Sequence, residues 1–316
     1  MATTEPHLPG RSMNEHLDVV MLGFCSWDYL GVVPRIPLDD KVRMAGYLEQ
    51  GGGPAATAAV ASARLGARTG FASVVGDDAR GHLILEEFEH EGVDTAACEV
   101  QPGAVSPAGF CWVDQPTGQR SIAWYPGTTV DLSPAAEPDR LLRGAKVLHL
   151  DGHFPSAAMV VTDRVRASGG IVSLDAGTYR EHMLQLIDLS HVVIASEGFA
   201  RDMIGRDDPE AAIQAIAARG PGIAMVTMGS RGVVCLTSGQ VLRRPAFTVD
   251  AVDTTGAGDV FHGAFCVGLL EGWDVERSIE FASAAAALKC TCLGGRTGIP
   301  RRSEVLRFLD SKRNSK

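Results

Sequence analysis

The stretch DTTGAGDVFHGAF, residues 253–265, sets Gly256, Ala257 and Gly258 between two acids, Asp253 and Asp259. Behind it Val260, Phe261, Ala264, Phe265, Val267 and Leu269 recur at helical spacing, and ahead of it PAFTVDAV is rich in β-branched and apolar residues. The pattern predicts a strand, a small-residue turn and a helix. A helix start offers backbone N–H groups without intrahelical partners and a partial positive charge, so it welcomes an anion. Small residues keep side chains out of a phosphate's way. A carboxylate there repels a phosphate, so Asp259 needs another reason for its place. One is general-base work: an attacking hydroxyl must lie in line with a phosphoryl group and lose its proton. The other is dipole stabilisation, common for acids in a first helical turn. The local pattern leaves both open. The usual phosphate loops do not fit, because Phe261 stands where a dinucleotide fingerprint needs glycine and no Gly-Lys-Ser/Thr occurs.

The elements that position this turn can be read from the rest of the chain. Its 316 residues suit one large α/β domain or two smaller ones, and 45% hydrophobic with 21% charged residues is ordinary for a globular protein. A formal net charge of −9 without a long basic run disfavours nucleic acid and anionic membrane as partners. An anionic nucleotide must then be held by backbone and a few cations. No run of 18 apolar residues occurs, and MATTEPHLPGRSMNEH lacks the basic start and apolar stretch of a signal peptide, so a cytoplasmic protein is expected, with residues 1–16 as a flexible segment before a domain over 17–316. The seven cysteines are scattered, and Cys290 with Cys292 has no second pair at ligand spacing, so structural zinc is not expected.

Apolar runs RTGFASVV, AKVLHLDG, GIVSLDAG, HVVIASEG and GIAMVTMG alternate with helical patterns, each run ending in small or polar residues. This predicts strands buried on both faces in a doubly wound, mostly parallel sheet flanked by helices. Ligands bind such sheets at the carboxyl ends of the strands, where Asp28, Asp151, Asp175, Glu197 and Gly229 fall. Residues 29–48 and 98–125 break the rhythm with alternating strand patterns, the second turning at Pro116, Thr117 and Gly118. They are read as one small β-sheet inserted as a lid, with a dimerisation flap as the alternative.

Near the front, GGGPAATAAVASARLGARTGFASVVGDDARG joins a glycine turn to an alanine-rich helix, a strand and an acidic turn. Together with DTTGAGDVFHGAF it resembles the two signatures of the ribokinase-like (PfkB) carbohydrate kinases, and the resemblance runs from GFCSWD to GGRTGIP. It implies an ATP-dependent sugar kinase in which Asp259 is the base and the Gly256, Ala257, Gly258 turn the anion hole. It places Asp28, at the end of the first strand, on sugar hydroxyls, together with Gly52, Gly53 and Thr57 of the first signature. VTMGSRGVV resembles the family's nucleotide loop, with Thr227, Gly229 and Gly232 approaching ATP, while Ala285 and Leu288 would cover the adenine. Asp253 stands where relatives help hold a potassium ion.

Two departures stand out. Many relatives carry Asn-x-x-Glu, whose acid organises water around magnesium; here ASEGFA has Ser196 and Phe199 at those places, leaving Glu197 as a substitute or magnesium to the nucleotide alone. Ala56 and Thr57 replace the usual GGxPAN asparagine. The motifs look closest to the bacterial sulfofructose-kinase and ketohexokinase side, where Lys41 could reach an anionic substituent, while His153 and Trp124 have no evident match. The reading is therefore magnesium-ATP with a sugar under the lid, phosphorylated on one primary hydroxyl, in a homodimer formed through the lid. A nucleoside kinase of the same fold and a non-catalytic sugar or nucleotide sensor are the alternatives.

Overall fold

The structure, a computed structural model, describes residues 16–117, 120–133 and 138–314. Apart from His16, the segment expected to be flexible lies outside the described residues, as does Gly118 of the hairpin turn. In chain order the first half comprises β1 (Val19–Leu22), β2 (Ser26–Val33), β3 (Gly46–Gly52), α1 (Pro54–Arg64), β4 (Thr69–Ala72), β5 (Val74–Gly76) and α2 (Ala79–His90). Then come β6 (Glu99–Gln101), β7 (Ala108–Asp114), β8 (Arg120–Tyr125), α3 (Pro138–Leu142), β9 (Val147–Leu150), α4 (Pro155–Ala167), β10 (Ile171–Ala176) and α5 (Met183–Leu189). The last part holds β11 (Val192–Ser196), α6 (Glu197–Ile204), α7 (Pro209–Ala217), β12 (Ile223–Thr227), β13 (Val233–Thr237) and β14 (Gln240–Arg244). Helices α8 (Ala257–Leu270), α9 (Val275–Lys289) and α10 (Arg302–Asn314) close the chain.

The main sheet has the order β14-β13-β12-β11-β10-β9-β1-β4, parallel from β4 to β12 with β13 and β14 antiparallel at one edge. Its apolar runs are continuous because both faces are covered. Val19, Met21, Val147, Ile194 and Met225 pack into one core with α1, α8 and α9. Their neighbours Val20, Leu22, Leu148, Val193 and Val226 turn to the other core, with α4, α5 and α7. Among the described residues no helix is long and apolar enough to cross a membrane.

The lid is a second sheet, in the order β3-β2-β7-β8. It differs from the sequence expectation at both ends. It starts at Ser26 rather than residue 29, and residues 98–107 are outside it, because β6 pairs in parallel with β5. Leu30, Cys111 and Val113 on its inner face meet Leu293 of the main domain in a small core of their own. The predicted strand over PAFTVDAV is absent: the ladder ends at Arg244, and residues 245–250 run on without strand pairing.

The alanine-rich character of α1 follows from its neighbour. Ala58, Ala59 and Ala61 are fully buried, and a Cβ on Gly263 of α8 would lie only 2.4 Å from the Ala58 carbonyl oxygen. Two helices this close leave room only for the smallest side chains. Gly263→Ala should therefore cost about 1–3 kcal/mol in urea unfolding, as overpacking does. The comparison is Gly258→Ala, where no atom stands within 4 Å of the new Cβ. That variant should keep the parent's stability or gain up to about 1 kcal/mol from the better helix former.

Candidate active site

Helix α8 starts at a left-handed residue, Gly256 with φ 75°, and no side chain caps its first turn. A Cβ at Gly256 would stand 2.8 Å from the Gly295 carbonyl oxygen, so glycine is required both for the turn and for the close approach. Gly258 faces open space. The amides at 256–258 are thus left without side-chain partners at the positive end of a 14-residue helix.

Asp259 follows in that first turn. Burial pushes its carboxyl up to about 7, and the negative charge of Asp175 adds to the effect, while His262 and Arg120 pull the other way. An acid placed there to stabilise the helix dipole would be held in its charged form; this one is biased toward taking up a proton. His262 is one turn further along α8, with Nε2 3.3 Å from Asp175 Oδ1. Burial lowers the His262 pKa, but the Asp175 charge and hydrogen bond outweigh it and raise the value. His149 on β9, its ring 5.2 Å from that of His262, is fully buried and held near 4, by burial first and then by His262. Ligand atoms of His149, Asp175 and His262 come within 4.8 Å of one another, and this is the one such group of three among the described residues. Asp175 favours the protonated form of His262, which would supply the kind of positive charge a metal would bring there.

A cavity of about 380 Å³ opens beside the start of α8. Thr227, at the end of β12, and Gly229 and Gly232 beyond it line it together with Ala257 and Gly258. Residues 246–249, the supposed strand, form another wall through Phe247 and Val249, which is why they leave the sheet. Helix α9 faces the cavity with Ser283, Ala286, Ala287 and Cys290. The expected adenine contacts are therefore misplaced by a fraction of a turn. Ala285 is fully buried in the main core and Leu288 packs against that same core. Positions three or four apart share a helix face, so 285 and 288 share the core side while 283, 287 and 290 share the cavity side. Glu197 begins α6 and is ion-paired with Arg231 of the 229–231 turn.

Asp28 is not at the end of the first core strand. β1 stops at Leu22 and the chain turns through Gly23–Cys25, so Asp28 is the third residue of lid strand β2. Its carboxyl fits between two glycines: a Cβ on Gly52 would lie 2.0 Å from one oxygen, and a Cβ on Gly109 2.4 Å from the other. Burial raises its pKa, partly offset by the Ser26 hydroxyl, which donates to Oδ1 at 2.7 Å. Gly53, with φ 99°, passes within 2.3 Å of the Phe24 carbonyl measured from a built Cβ, and its own carbonyl accepts the Thr57 amide in the first turn of α1. Thr57 is buried within α1. Lys41 is exposed in the 34–45 loop, its backbone amide on the Asp40 carboxylate.

Other residues adjoin these, and of them Arg120 gave no signal in the sequence. Trp124 lies in register with Gly109 and Asp28, so it shares their inner face of the lid; it is 60% exposed rather than lid core and meets Phe24 edge-on, while His153 stacks on Phe24 at 4.9 Å. Arg120 of β8 reaches across to Thr254, donating to its hydroxyl at 3.1 Å, so a lid cation stands beside the anion turn. Asp151 has a structural task. It accepts from the amides of Phe24, Ala55 and His153 and pairs with the His153 ring, fixing the β1–β2 break to the start of α1. Asp253 is buried, with Thr255 and Gly294 on its carboxylate.

The chain is similar to known proteins over most of its length. The ribokinase of Bacillus subtilis is 30% identical over 296 residues, covering 92% of this chain and 99% of that protein. A nucleoside kinase of Methanothermobacter thermautotrophicus is 28% identical over 301 residues, covering 93% and 96%. The crystal structure of a ribokinase from Thermotoga maritima superposes with a TM-score of 0.80 at 28% identity, over 93% of this chain and 99% of that one. The family model described as pfkB family carbohydrate kinase matches residues 16–302, and the chain belongs to that family.

Proposed function

We propose that this protein is an ATP-dependent kinase that transfers the γ-phosphate to a primary hydroxyl of a monosaccharide. The observation that carries the reading is Asp259: a carboxyl pushed up to about 7, in the first turn of an uncapped helix whose start also lines a nucleotide-sized cavity. Asp259 takes the proton of the attacking hydroxyl. The 256–258 amides, and Arg120 from the lid, stabilise the charge that spreads over the phosphoryl oxygens in the transition state. Asp28, Gly52 and Gly53 hold the sugar, and Thr227, Gly229 and Gly232 carry the nucleotide phosphates and ribose. Motif likeness to the sulfofructose-kinase and ketohexokinase side supports a ketose acceptor, with Lys41 and Arg120 as the cations an anionic substituent would meet.

Magnesium supplies charge neutralisation on the phosphates when bound. The residues at the end of β11 fit it poorly as protein ligands, because Glu197 is engaged by Arg231, so the nucleotide carries the ion. Tyr47, Phe110 and Tyr125, exposed together on the outer lid face, support a homodimer formed there. A nucleoside acceptor is the second reading, favoured by the Phe24, His153 and Trp124 rings beside Asp28, on which a base could stack. One ADP-release screen over ketoses, aldoses, phosphosugars and nucleosides decides between them.

Asp259→Asn removes the proton acceptor and keeps the shape, so kcat should fall by ~10²–10⁴-fold while ATP affinity holds or tightens slightly. Because the folded pKa of Asp259 is raised above its ordinary 3.8, its contribution to stability is lost as pH rises toward about 7. The Asn variant should then unfold at an equal or higher temperature than the parent at pH 8. A dipole-stabilising acid would instead lose about 0.3–1 kcal/mol of stability and keep its turnover.

The base must be ionised to work, so kcat/KM should rise with pH through about 7 and level off above it. His262 holds that value down, and His262→Gln should move the limb to higher pH.

The cavity assignment is checked on α9. Ala286→Phe should weaken binding of a non-hydrolysable ATP analogue by more than about tenfold, or 1.4 kcal/mol. Ala285→Leu, one residue away, should cost about 1–3 kcal/mol of stability and leave analogue binding unchanged.

A further inference from the structure

Lys289, the last residue of α9, is completely buried. A buried ammonium ion has to be paid for by oxygen ligands and nearby negative charge. Its Nζ donates to the backbone carbonyl of Asp253 at 2.8 Å. The Asp253 side chain is itself fully engaged: Oδ1 accepts the Thr255 amide at 2.8 Å and the Thr255 hydroxyl at 2.7 Å, and Oδ2 accepts the Gly294 amide at 2.8 Å. The pair lies directly under the turn that leads into α8, three residues before Gly256.

The resemblance to the ribokinase-like kinases implies a potassium ion held at Asp253, and these residues do not fit one. A potassium ion needs several free oxygens, whereas here the carbonyl faces an ammonium and both carboxylate oxygens face donors. A second cation would also lie beside the Lys289 charge in a buried place, where like charges are weakly screened. Potassium and ammonium ions are similar in size, carry the same charge and seek the same oxygen ligands. We propose that the Lys289 ammonium is a built-in monovalent cation, which holds the Asp253 loop and the anion turn behind it, so that this protein works without potassium. Lys289 acts as a positioning residue: it touches neither phosphate nor acceptor. The inference rests on the phosphate-site reading of the 256–258 turn and is independent of the acceptor's identity.

The test uses the full chain in choline chloride, NaCl or KCl at one ionic strength. Three quantities are read: the unfolding midpoint, the affinity for a non-hydrolysable ATP analogue, and turnover of the best acceptor. For the parent all three should agree among the salts, with affinity and turnover within about twofold, since an ion with no site adds no binding free energy. Lys289→Ala opens the space and frees the carbonyl. In choline it should bind the analogue at least about tenfold more weakly, and KCl, but not choline, should restore affinity and raise the midpoint by mass action. Lys289→Met fills the same space without charge and should be weakened in every salt. A parent whose midpoint and affinity respond specifically to potassium overturns the proposal, and this arm needs no variant to fold. So does a Lys289→Ala protein that matches the parent in choline, or one whose weakened binding potassium leaves unrestored, because Lys289 would then serve packing alone. The midpoint and affinity arms stand without any turnover. Absence of phosphorylation with every acceptor would therefore count against the kinase reading and not against the built-in cation.

Discussion

The start of α8 must keep its first amides free for a ligand and still be fixed in place, and a free helix end cannot be fixed by capping. Most of the surrounding structure answers that constraint. The helix is held along its length by the close approach to α1 that Gly263 and the α1 alanines permit. From behind, the turn is tied by Asp253, its three donors and the Lys289 ammonium. From above, lid strand β8 reaches Thr254 through Arg120. Each tie ends on a neighbouring residue; the Ala257 amide donates to the Thr254 carbonyl, and the Gly256 and Gly258 amides on either side are left open.

The same place concentrates charge that a core would ordinarily exclude. Asp175 lies 3.3 Å from His262 and favours its protonated form, while His149 beside them is kept neutral by burial first and by His262 second. Asp259 is left as the acid with the least compensation, which is why its proton affinity rises. Burial alone would push every one of these carboxyls up. Asp151 instead stays low through the charge of His153 and then its hydrogen-bond donors, and Asp253 through the donors on its carboxylate. Asp28, with a single hydroxyl donor, and Asp259 lack such a set of donors, and burial raises both.

The sheet was legible because strands buried on both faces write continuous apolar runs, as at Val192–Ser196 and Ile223–Thr227. The small-residue turn into α8 was legible because glycine and alanine cluster at the start of an apolar helical pattern. PAFTVDAV misled because a cavity wall of apolar residues has the composition of a strand without its partners. Ala285 misled because an alanine-rich helix presents similar residues on both sides, and only packing shows which side is the core. Arg120 and Lys289 left no local signal at all, since their roles depend on contacts across 134 and 36 positions of the chain, to Thr254 and Asp253 respectively. Asp28 was found as a residue but given to the wrong element, because a three-residue break between two apolar runs looks like one strand's end.

That break also decides which groups are held together. With Asp28 on β2, the group proposed to recognise the acceptor belongs to the same sheet as Arg120, which reaches Thr254 beside the 256–258 turn. If Asp28 recognises the acceptor, as proposed, the acceptor and the cation beside the 256–258 turn are positioned by one sheet, through the β2–β7 and β7–β8 pairs.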